Sequence, residues 1–169
     1  MSTFILRLAQ EADLVAINDI YNHYVLHSTC TYQTEPETIE ARRAWFAAHG
    51  EGYPVIVGEH DGEVVGWGSL SKFKDRAAYQ PSVEGSVYIR QDRLGHGFGR
   101  VILVDLIERA RALGYHTFIG GACSSQAASI RLQESLGFQR VGQFREVGLK
   151  FGRRLDVVYL QLMLQTSTD

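Results

Sequence analysis

Apolar and polar residues recur along this chain with two different periods, which predict a mixture of strands and helices. In Val83–Arg90, apolar or small residues alternate with Glu, Ser, Tyr and Arg, a period of two that is typical of a strand. After Asp13, apolar residues return every three or four positions as far as Val25, which predicts an amphipathic helix. The other predicted strands are Phe4–Leu8, Tyr53–Glu59, Glu63–Ser69, His116–Ala122, Gln143–Lys150 and Leu155–Leu164.

Capping and turn residues place the remaining helices and connections. Thr34-Glu35-Pro36-Glu37 is similar to a capping box and predicts a helix that runs to about Ala48. A third helix is expected from about Gly97 to Leu113, with Gly114 ending it, and a fourth from Ser124/Ser125 to Leu136. The resulting order is β-α-α-β-β-β-α-β-α-β-β. We therefore expect one α/β domain over residues 1–169, with its core at about 4–164.

Composition narrows the class of partner. The 169 residues carry a net charge of −2 and are 45% hydrophobic, which argues against a disordered chain and against a nucleic-acid-binding protein. No segment is apolar enough to span a bilayer or to serve as a signal peptide. Cys30 and Cys123 stand far apart, without the spacing of a disulfide framework. These features favour a cytoplasmic protein that binds a small molecule and has no nucleic-acid or membrane partner.

The segment Gly95-His96-Gly97-Phe98-Gly99-Arg100 lies between a predicted strand and a predicted helix. Glycines permit positive φ and a close approach of a ligand to the main chain. The helix N-terminus beyond them suits a phosphate or pyrophosphate, and His96 and Arg100 add donors. A glycine-rich connection without a ligand is the alternative. The spacing matches neither the dinucleotide-binding pattern nor the P-loop, which disfavours nicotinamide and ATP.

This segment resembles the coenzyme A pyrophosphate loop of the GCN5-related N-acetyltransferases, known as the GNAT superfamily. Ser129-Ile130-Arg131-Leu132, followed by Leu136-Gly137-Phe138, is similar to the superfamily's next helix. The resemblance extends from Ile5 to Leu164 and is strongest to the phosphinothricin/methionine sulfoximine acetyltransferase branch. The branch-like features are Ile20-Tyr21-Asn22, Thr34-Glu35-Pro36, Phe73–Tyr79, Glu84–Tyr88 and Lys150-Phe151-Gly152-Arg153.

The resemblance implies a GNAT-type mixed sheet, flanked by helices, that is splayed to admit acetyl-CoA. It also implies a homodimer, and it calls for no metal. Main-chain amides of residues 95–100 would hold the pyrophosphate, and an N–H near Tyr88 or Ile89 would polarise the thioester carbonyl. The cofactor-binding residues that it implies are Val87, Tyr88, Ile89, Leu94, Gly95, His96, Gly97, Phe98, Gly99, Arg100, Gln126 and Ser129.

Direct attack by an amine needs a general base, because most amines are protonated at neutral pH. Glu84 is similar to the glutamate of this branch. The alternative is a solvated carboxylate at the edge of the sheet. Lys74 and Arg76 would bind an acceptor carboxylate, between aromatic walls formed by Phe73 and Tyr79, although a solvated basic loop is also consistent with them. Arg153 would border the same pocket, across a dimer interface.

Three positions depart from the superfamily's pattern. Leu94 replaces a usual Arg or Gln, Gln126 a common Asn, and Gln133 a tyrosine general acid or the histidine of this branch. Protonation of the leaving thiolate would then fall to water or to Ser129. The expected function is N-acetylation of a small amino-acid-like amine by direct attack. The alternatives are an acetyltransferase for a polyamine or a peptide N-terminus, and a sensor that binds acyl-CoA without chemistry.

Overall fold

The structure is a computed structural model and describes residues 3–165. The elements follow in the order that the sequence predicted, and the α/β class is confirmed. The strands are β1 Phe4–Leu8, β2 Val55–His60, β3 Glu63–Lys72, β4 Ser82–Ile89, β5 Thr117–Cys123, β6 Gln139–Lys150 and β7 Arg153–Met163. The helices are α1 Leu14–His27, α2 Ile39–Ala48, α3 Phe98–Ala112 and α4 Ala127–Ser135.

The seven strands of the described residues form one sheet in the order β1-β2-β3-β4-β5-β7-β6. Only β4 and β5 pair in parallel; the other neighbouring strands among the described residues are antiparallel. β4 and β5 are consecutive strands joined through α3, the crossover connection that a parallel pair requires. The helices cover both faces of the sheet, with α1 and α2 on one face and α3 and α4 on the other.

Side chains that alternate along the strands divide the core between these two faces. Val55, Val57 and Trp67 pack beneath α1 and α2, whereas Ile56 and Leu70 belong to the larger core beneath α3 and α4. Within residues 3–165 no helix has the length and apolar composition needed to cross a membrane.

The start of α2 differs from the prediction. The segment Thr34–Glu37 does not cap this helix; Thr38 does, accepting a hydrogen bond from the Ala41 N–H at 3.1 Å. The Glu37 N–H and carbonyl are instead bound by the Asn22 side chain at 2.7 and 2.9 Å. Because α1 already holds Glu37 through its main chain, the residues before Thr38 stay extended.

Two other predicted boundaries are also wrong. α4 begins at Ala127 without a side-chain cap, because the Ser125 hydroxyl contacts Thr29 and Cys123 instead. β6 begins at Gln139, four residues before the predicted Gln143, and its register shifts between Phe144 and Gly148. The shift interrupts the alternation of apolar residues from which the strand was predicted.

Candidate active site

The parting of β4 and β5 creates the central cleft. The two strands pair at only three positions, Ser82–Thr117, Val83–Phe118 and Glu84–Ile119, although β4 continues for five more residues. Beyond Glu84 the β5-facing edge of β4 therefore has no strand partner among the described residues. The splayed sheet expected from the sequence is confirmed.

A cavity of about 480 Å³ occupies this gap and extends to the N-terminus of α3. Eleven of the twelve predicted cofactor-binding residues line it, and His96 does not. Those eleven are Val87, Tyr88, Ile89, Leu94, Gly95, Gly97, Phe98, Gly99, Arg100, Gln126 and Ser129. Gly85, Phe118, Gly120, Gly121, Leu132 and Gln133 are among the other lining residues.

The glycine loop forms a main-chain cradle at one end of the cavity. Gly95 and Gly97 both have a φ of +80°, a conformation that strains any residue with a side chain. Gly97 is the N-cap of α3, and no side chain caps this end within the part of the chain that the structure describes. N–H groups at a helix N-terminus bind anions and lie at the positive end of the helix dipole. The geometry fits a pyrophosphate.

The side chains of this loop contribute less than its main chain. The Nδ1 atom of His96 lies 3.0 Å from the Leu94 carbonyl oxygen, and its ring stacks on Phe98 with centroids 5.6 Å apart. Arg100 donates to the Ser135 hydroxyl at 2.8 Å, so its guanidinium is attached to α4. Leu94 is 56% exposed and offers no donor. A direct role for His96 at the cofactor stays a prediction that the cavity lining does not support.

Two glutamines of the α4 region are already hydrogen-bonded within the protein. Gln126 donates to the Thr29 hydroxyl at 3.0 Å and, more weakly, to Ser28 at 3.4 Å. Gln133 is buried and donates to the Ser129 carbonyl and hydroxyl, both at 3.4 Å. An amide has no ionisable proton, so Gln133 is not an acid.

Glu84 lies at the point where β4 and β5 separate. Its alternation with Gly85 places it on the face covered by α1 and α2, beside the cavity rather than in its lining. Burial raises the pKa of the Glu84 carboxyl above its usual range, and the Lys74 charge lowers it to a smaller extent. A carboxylate with a raised pKa next to a cleft is a candidate general base.

The segment between β3 and β4 brings three of the predicted acceptor residues together. The rings of Phe73 and Tyr79 meet edge to face, with centroids 5.7 Å apart. The Lys74 ammonium lies 5.2 Å from the first centroid and 5.1 Å from the second, close enough for cation–π contacts. Arg76 is exposed and begins the short turn Ala77–Tyr79.

Arg153 is not brought to this group within one chain. It is exposed at the start of β7, where it pairs with Lys150 of β6 across the hairpin. A role for Arg153 in the acceptor pocket therefore depends on a second copy of the chain, as the resemblance implied.

Two cavity residues come from a region that the sequence assigned only to structure. Tyr24 of α1 and Cys30, in the loop after α1, line the cavity. Burial, with a smaller contribution from Cys30, raises the pKa of Tyr24 to about 12, and its neutral hydroxyl donates to the Ile89 carbonyl. Tyr24 stands on the apolar face of a helical pattern, so its position predicted packing rather than a place at the cleft.

Comparison with known proteins agrees with this geometry. Residues 6–159 match the acetyltransferase (GNAT) domain family. The chain belongs to the GNAT family of acetyltransferases. A methionine sulfoximine/methionine sulfone acetyltransferase of Salmonella typhimurium is 42% identical over 160 residues, covering 94% of each chain. A phosphinothricin N-acetyltransferase of Streptomyces coelicolor is 37% identical and covers 89% of this chain and 91% of its own length.

A solved structure of a GNAT relative extends the comparison to the cofactor. An acetyltransferase of Salmonella typhimurium, determined with acetyl-CoA, superposes with a TM-score of 0.94 at 40% identity. The match covers 98% of this chain and 96% of the other. Acetyl-CoA is the acetyl donor of this family, and the cradle and cleft described above have the chemistry to hold it.

Proposed function

We propose that this protein transfers the acetyl group of acetyl-CoA to the amine of a small amino-acid-like substrate by direct attack. The observation that carries the proposal is the placement of Glu84, which is partly buried where β4 and β5 part and close enough to Lys74 to sense its charge. A base for the amine, Glu84, and a cation for the acceptor carboxylate, Lys74, thus lie near each other where β4 and β5 part. The relatives that act on methionine sulfoximine and phosphinothricin support an acceptor of this class.

The main chain of β4 supplies the hydrogen-bond donor for the thioester carbonyl of acetyl-CoA. Acetyl-CoA brings an activated acetyl group, held by the glycine loop and by the cleft residues from Val87 to Ile89. The Arg90 N–H donates a hydrogen bond to the Val65 carbonyl of β3 at 2.8 Å. Because N–H groups alternate in direction along a strand, the Ile89 N–H faces the open edge, whereas the Tyr88 N–H faces β3. Ile89 is therefore the donor that we assign to the thioester oxygen.

Glu84 accepts the proton of the attacking amine, directly or through one water molecule. A base works best when its pKa approaches the operating pH, and burial moves the pKa of Glu84 in that direction. The cost is a smaller ionised fraction at acidic pH, which gives a testable pH dependence.

Lys74 and Arg76 bind the acceptor carboxylate between the walls formed by Phe73 and Tyr79. With its carboxylate on these cations, an amino acid would turn its amine toward Glu84. A polyamine carries like charge and would be repelled by the same loop. The leaving thiolate takes its proton from water or Ser129, since Gln133 has none to give.

A homodimer completes the proposal. Five apolar side chains of β6 and its turn are more than half exposed: Val141 at 55%, Phe144 at 59%, Val147 at 56%, Leu149 at 66% and Phe151 at 55%. Exposed apolar side chains on a strand at a sheet edge favour association with another chain. Arg153 lies in the same hairpin and would then reach the partner's acceptor pocket. Sedimentation of the protein, with and without a charge at Leu149, tests this association.

Thiol release from acetyl-CoA in the presence of an acceptor panel tests the function. The panel contains methionine sulfoximine, phosphinothricin, standard amino acids, their amides, spermidine and a peptide with a free N-terminus. We expect turnover with free amino-acid-like acceptors and little with amides or spermidine. Preference for the peptide would favour the N-terminal alternative, and acetyl-CoA binding without turnover of any acceptor would favour the sensor.

A further inference from the structure

Lys150 is a buried cation for which the proposed mechanism has no use. It is the last residue of β6 and only 4% exposed. Its ammonium donates to the main-chain carbonyl oxygens of Ser28 at 2.7 Å, Thr31 at 2.8 Å and Tyr24 at 3.4 Å. Within residues 3–165 no carboxylate forms an ion pair with it. Burying a charge is costly unless its hydrogen bonds are satisfied, and here the hydrogen bonds to carbonyl groups offset that cost.

The carbonyl groups that Lys150 binds belong to the C-terminal end of α1 and to the loop that follows. A cation is favourable at a helix C-terminus, where the last carbonyl groups lack helical partners. Residues 28–34, which we call the strap, then lead toward α2, and Cys30 within them lines the cavity. Lys150 therefore fixes both the end of α1 and the beginning of the strap.

Other side chains attach the strap to the β5 side of the cleft. The Thr29 hydroxyl lies 3.1 Å from the Ser125 hydroxyl and accepts a hydrogen bond from Gln126 at 3.0 Å. The Tyr32 hydroxyl donates to the Asp156 carbonyl of β7 at 2.8 Å. The Tyr32 ring also covers Gly148, where a side chain would collide with it. The strap is thus bound to α4, β6 and β7.

The helix that leads into the strap is attached to the opposite side of the cleft. Tyr24 donates to the Ile89 carbonyl on the open edge of β4. Since β4 and β5 pair at only three positions, the sheet does not hold the two sides together beyond Glu84. The connection from Tyr24 through the strap to α4, β6 and β7 spans that gap, and Tyr24 and Cys30 form one wall of the cavity.

We propose that Lys150 is a positioning residue for acetyl transfer: by holding the carbonyl groups of Ser28 and Thr31, it fixes the strap across the cleft and so sets the acceptor-side wall of the cavity. Lys150 does not line the cavity. It acts through Tyr24 and Cys30. The inference rests on acetyl transfer in this cavity, as proposed above, but not on the identity of the acceptor.

Lys150→Met tests the proposal, because it removes the ammonium while keeping a long side chain. Hydrogen–deuterium exchange of residues 28–34 should become faster by about tenfold or more. The kcat/KM for the acceptor should fall by about tenfold or more, since a displaced wall misplaces the attacking amine. Acetyl-CoA affinity, measured by calorimetry, should fall by a smaller factor than kcat/KM, because the main-chain cradle at Gly95–Arg100 has its own local geometry.

Two further variants separate positioning from a general loss of stability. Thr29→Val removes a second attachment of the strap at nearly constant volume and should change the same quantities in the same direction, by less. It also carries the test if Lys150→Met does not fold. Ile107→Val weakens the core on the opposite face and should leave exchange in the strap and kcat/KM unchanged.

Three results would overturn the proposal. The first is unchanged exchange in residues 28–34 of Lys150→Met; the second is a loosened strap with unchanged kcat/KM. The third is an equal effect of Ile107→Val. If no compound in the acceptor panel were acetylated, the proposed function would be contradicted. Hydrogen exchange in residues 28–34 and acetyl-CoA affinity would still show whether Lys150 fixes the strap and has a smaller effect on the cradle.

Discussion

The two ends of the cleft are built from different parts of the chain. The proposed pyrophosphate end is one continuous segment, Gly95–Arg100, in which two left-handed glycines lead into the N-terminus of α3. The proposed acceptor end combines side chains from the β3–β4 connection, from β4 and from the strap after α1. Main-chain conformation determines the first end, whereas the burial of Glu84 and the charges around it determine the chemistry of the second. Substitutions should therefore affect the two substrates separately.

Removing the proposed base should have the largest effect. Glu84→Gln keeps the shape of the side chain but cannot accept the amine proton, so kcat/KM for the acceptor should fall by about 10²–10⁴-fold. Acetyl-CoA affinity should stay within about twofold, since the carboxylate is remote from the cradle. Steady-state kinetics and calorimetry on the folded variant check both. Retention of most of the activity would remove Glu84 from the mechanism.

Distorting the cradle should have the next largest effect, confined to the cofactor. Gly97→Val places a β-branched side chain at a φ of +80°. Acetyl-CoA binding should weaken by about 100-fold or more, roughly 2.7 kcal/mol.

Gly50→Val is the matched control for this prediction. Gly50 has no atoms within 4 Å of an added Cβ, does not have a positive φ, and lies outside the cavity lining. Calorimetry should show normal affinity for it. Equal losses in the two variants would attribute the effect to the fold rather than to the cradle.

Removing the acceptor cation should have an intermediate effect, confined to the acceptor. Lys74→Ala should weaken acceptor binding by about 1.5–3 kcal/mol, the contribution of a charge-assisted hydrogen bond. Amidated acceptors should lose their disadvantage in this variant. Lys72→Ala is the control, because Lys72 ends β3 next to this segment but pairs with Asp75 at the surface. Similar KM changes for the two variants would indicate a general effect of positive charge.

The smallest effect is expected at Leu94. Leu94→Arg restores the type of side chain that is usual in the superfamily, but the new cation would be exposed and screened, contributing about 0–1 kcal/mol. Acetyl-CoA affinity should rise by less than about tenfold. A larger gain, together with a small loss in Gly97→Val, would show that side chains rather than the main chain bind the pyrophosphate.

The difference between the two ends also explains what the sequence could predict. A glycine loop between a strand and a helix is a local pattern, and all of Gly95–Arg100 except His96 line the cavity. The other predicted cofactor residues, which also line it, came from the resemblance to the GNAT superfamily. The strap is not local: Lys150 reaches Ser28 across 122 positions of the chain. Periodicity therefore placed Tyr24 in a helix but could not place it at the cleft.

The errors at helix ends have the same origin. Thr34–Glu37 satisfies the sequence rule for a capping box. In the structure, however, the Asn22 side chain of α1 binds the main chain of Glu37, and α2 begins only at Ile39. Ser125 is a good N-cap residue in isolation but bonds to Thr29 instead. In each case a tertiary hydrogen bond outcompetes the local one, and such contacts are visible only in the fold.

The pH dependence of kcat/KM with a free amino-acid acceptor tests the division between the two ends most directly. Only ionised Glu84 accepts a proton, and burial raises its pKa, so activity should fall with decreasing pH at values above the usual range of a glutamate. Because the Lys74 charge lowers that pKa, Lys74→Ala should move the acidic limb to higher pH. Gly97→Val, measured at saturating acetyl-CoA, should leave the limb in place. Glu84→Gln should remove the ionisation of Glu84 from the profile, which then follows only the ionisation of the acceptor amine. A Glu84→Gln profile that keeps the acidic pKa of the unmutated enzyme, or a limb that moves in Gly97→Val and not in Lys74→Ala, would contradict this account.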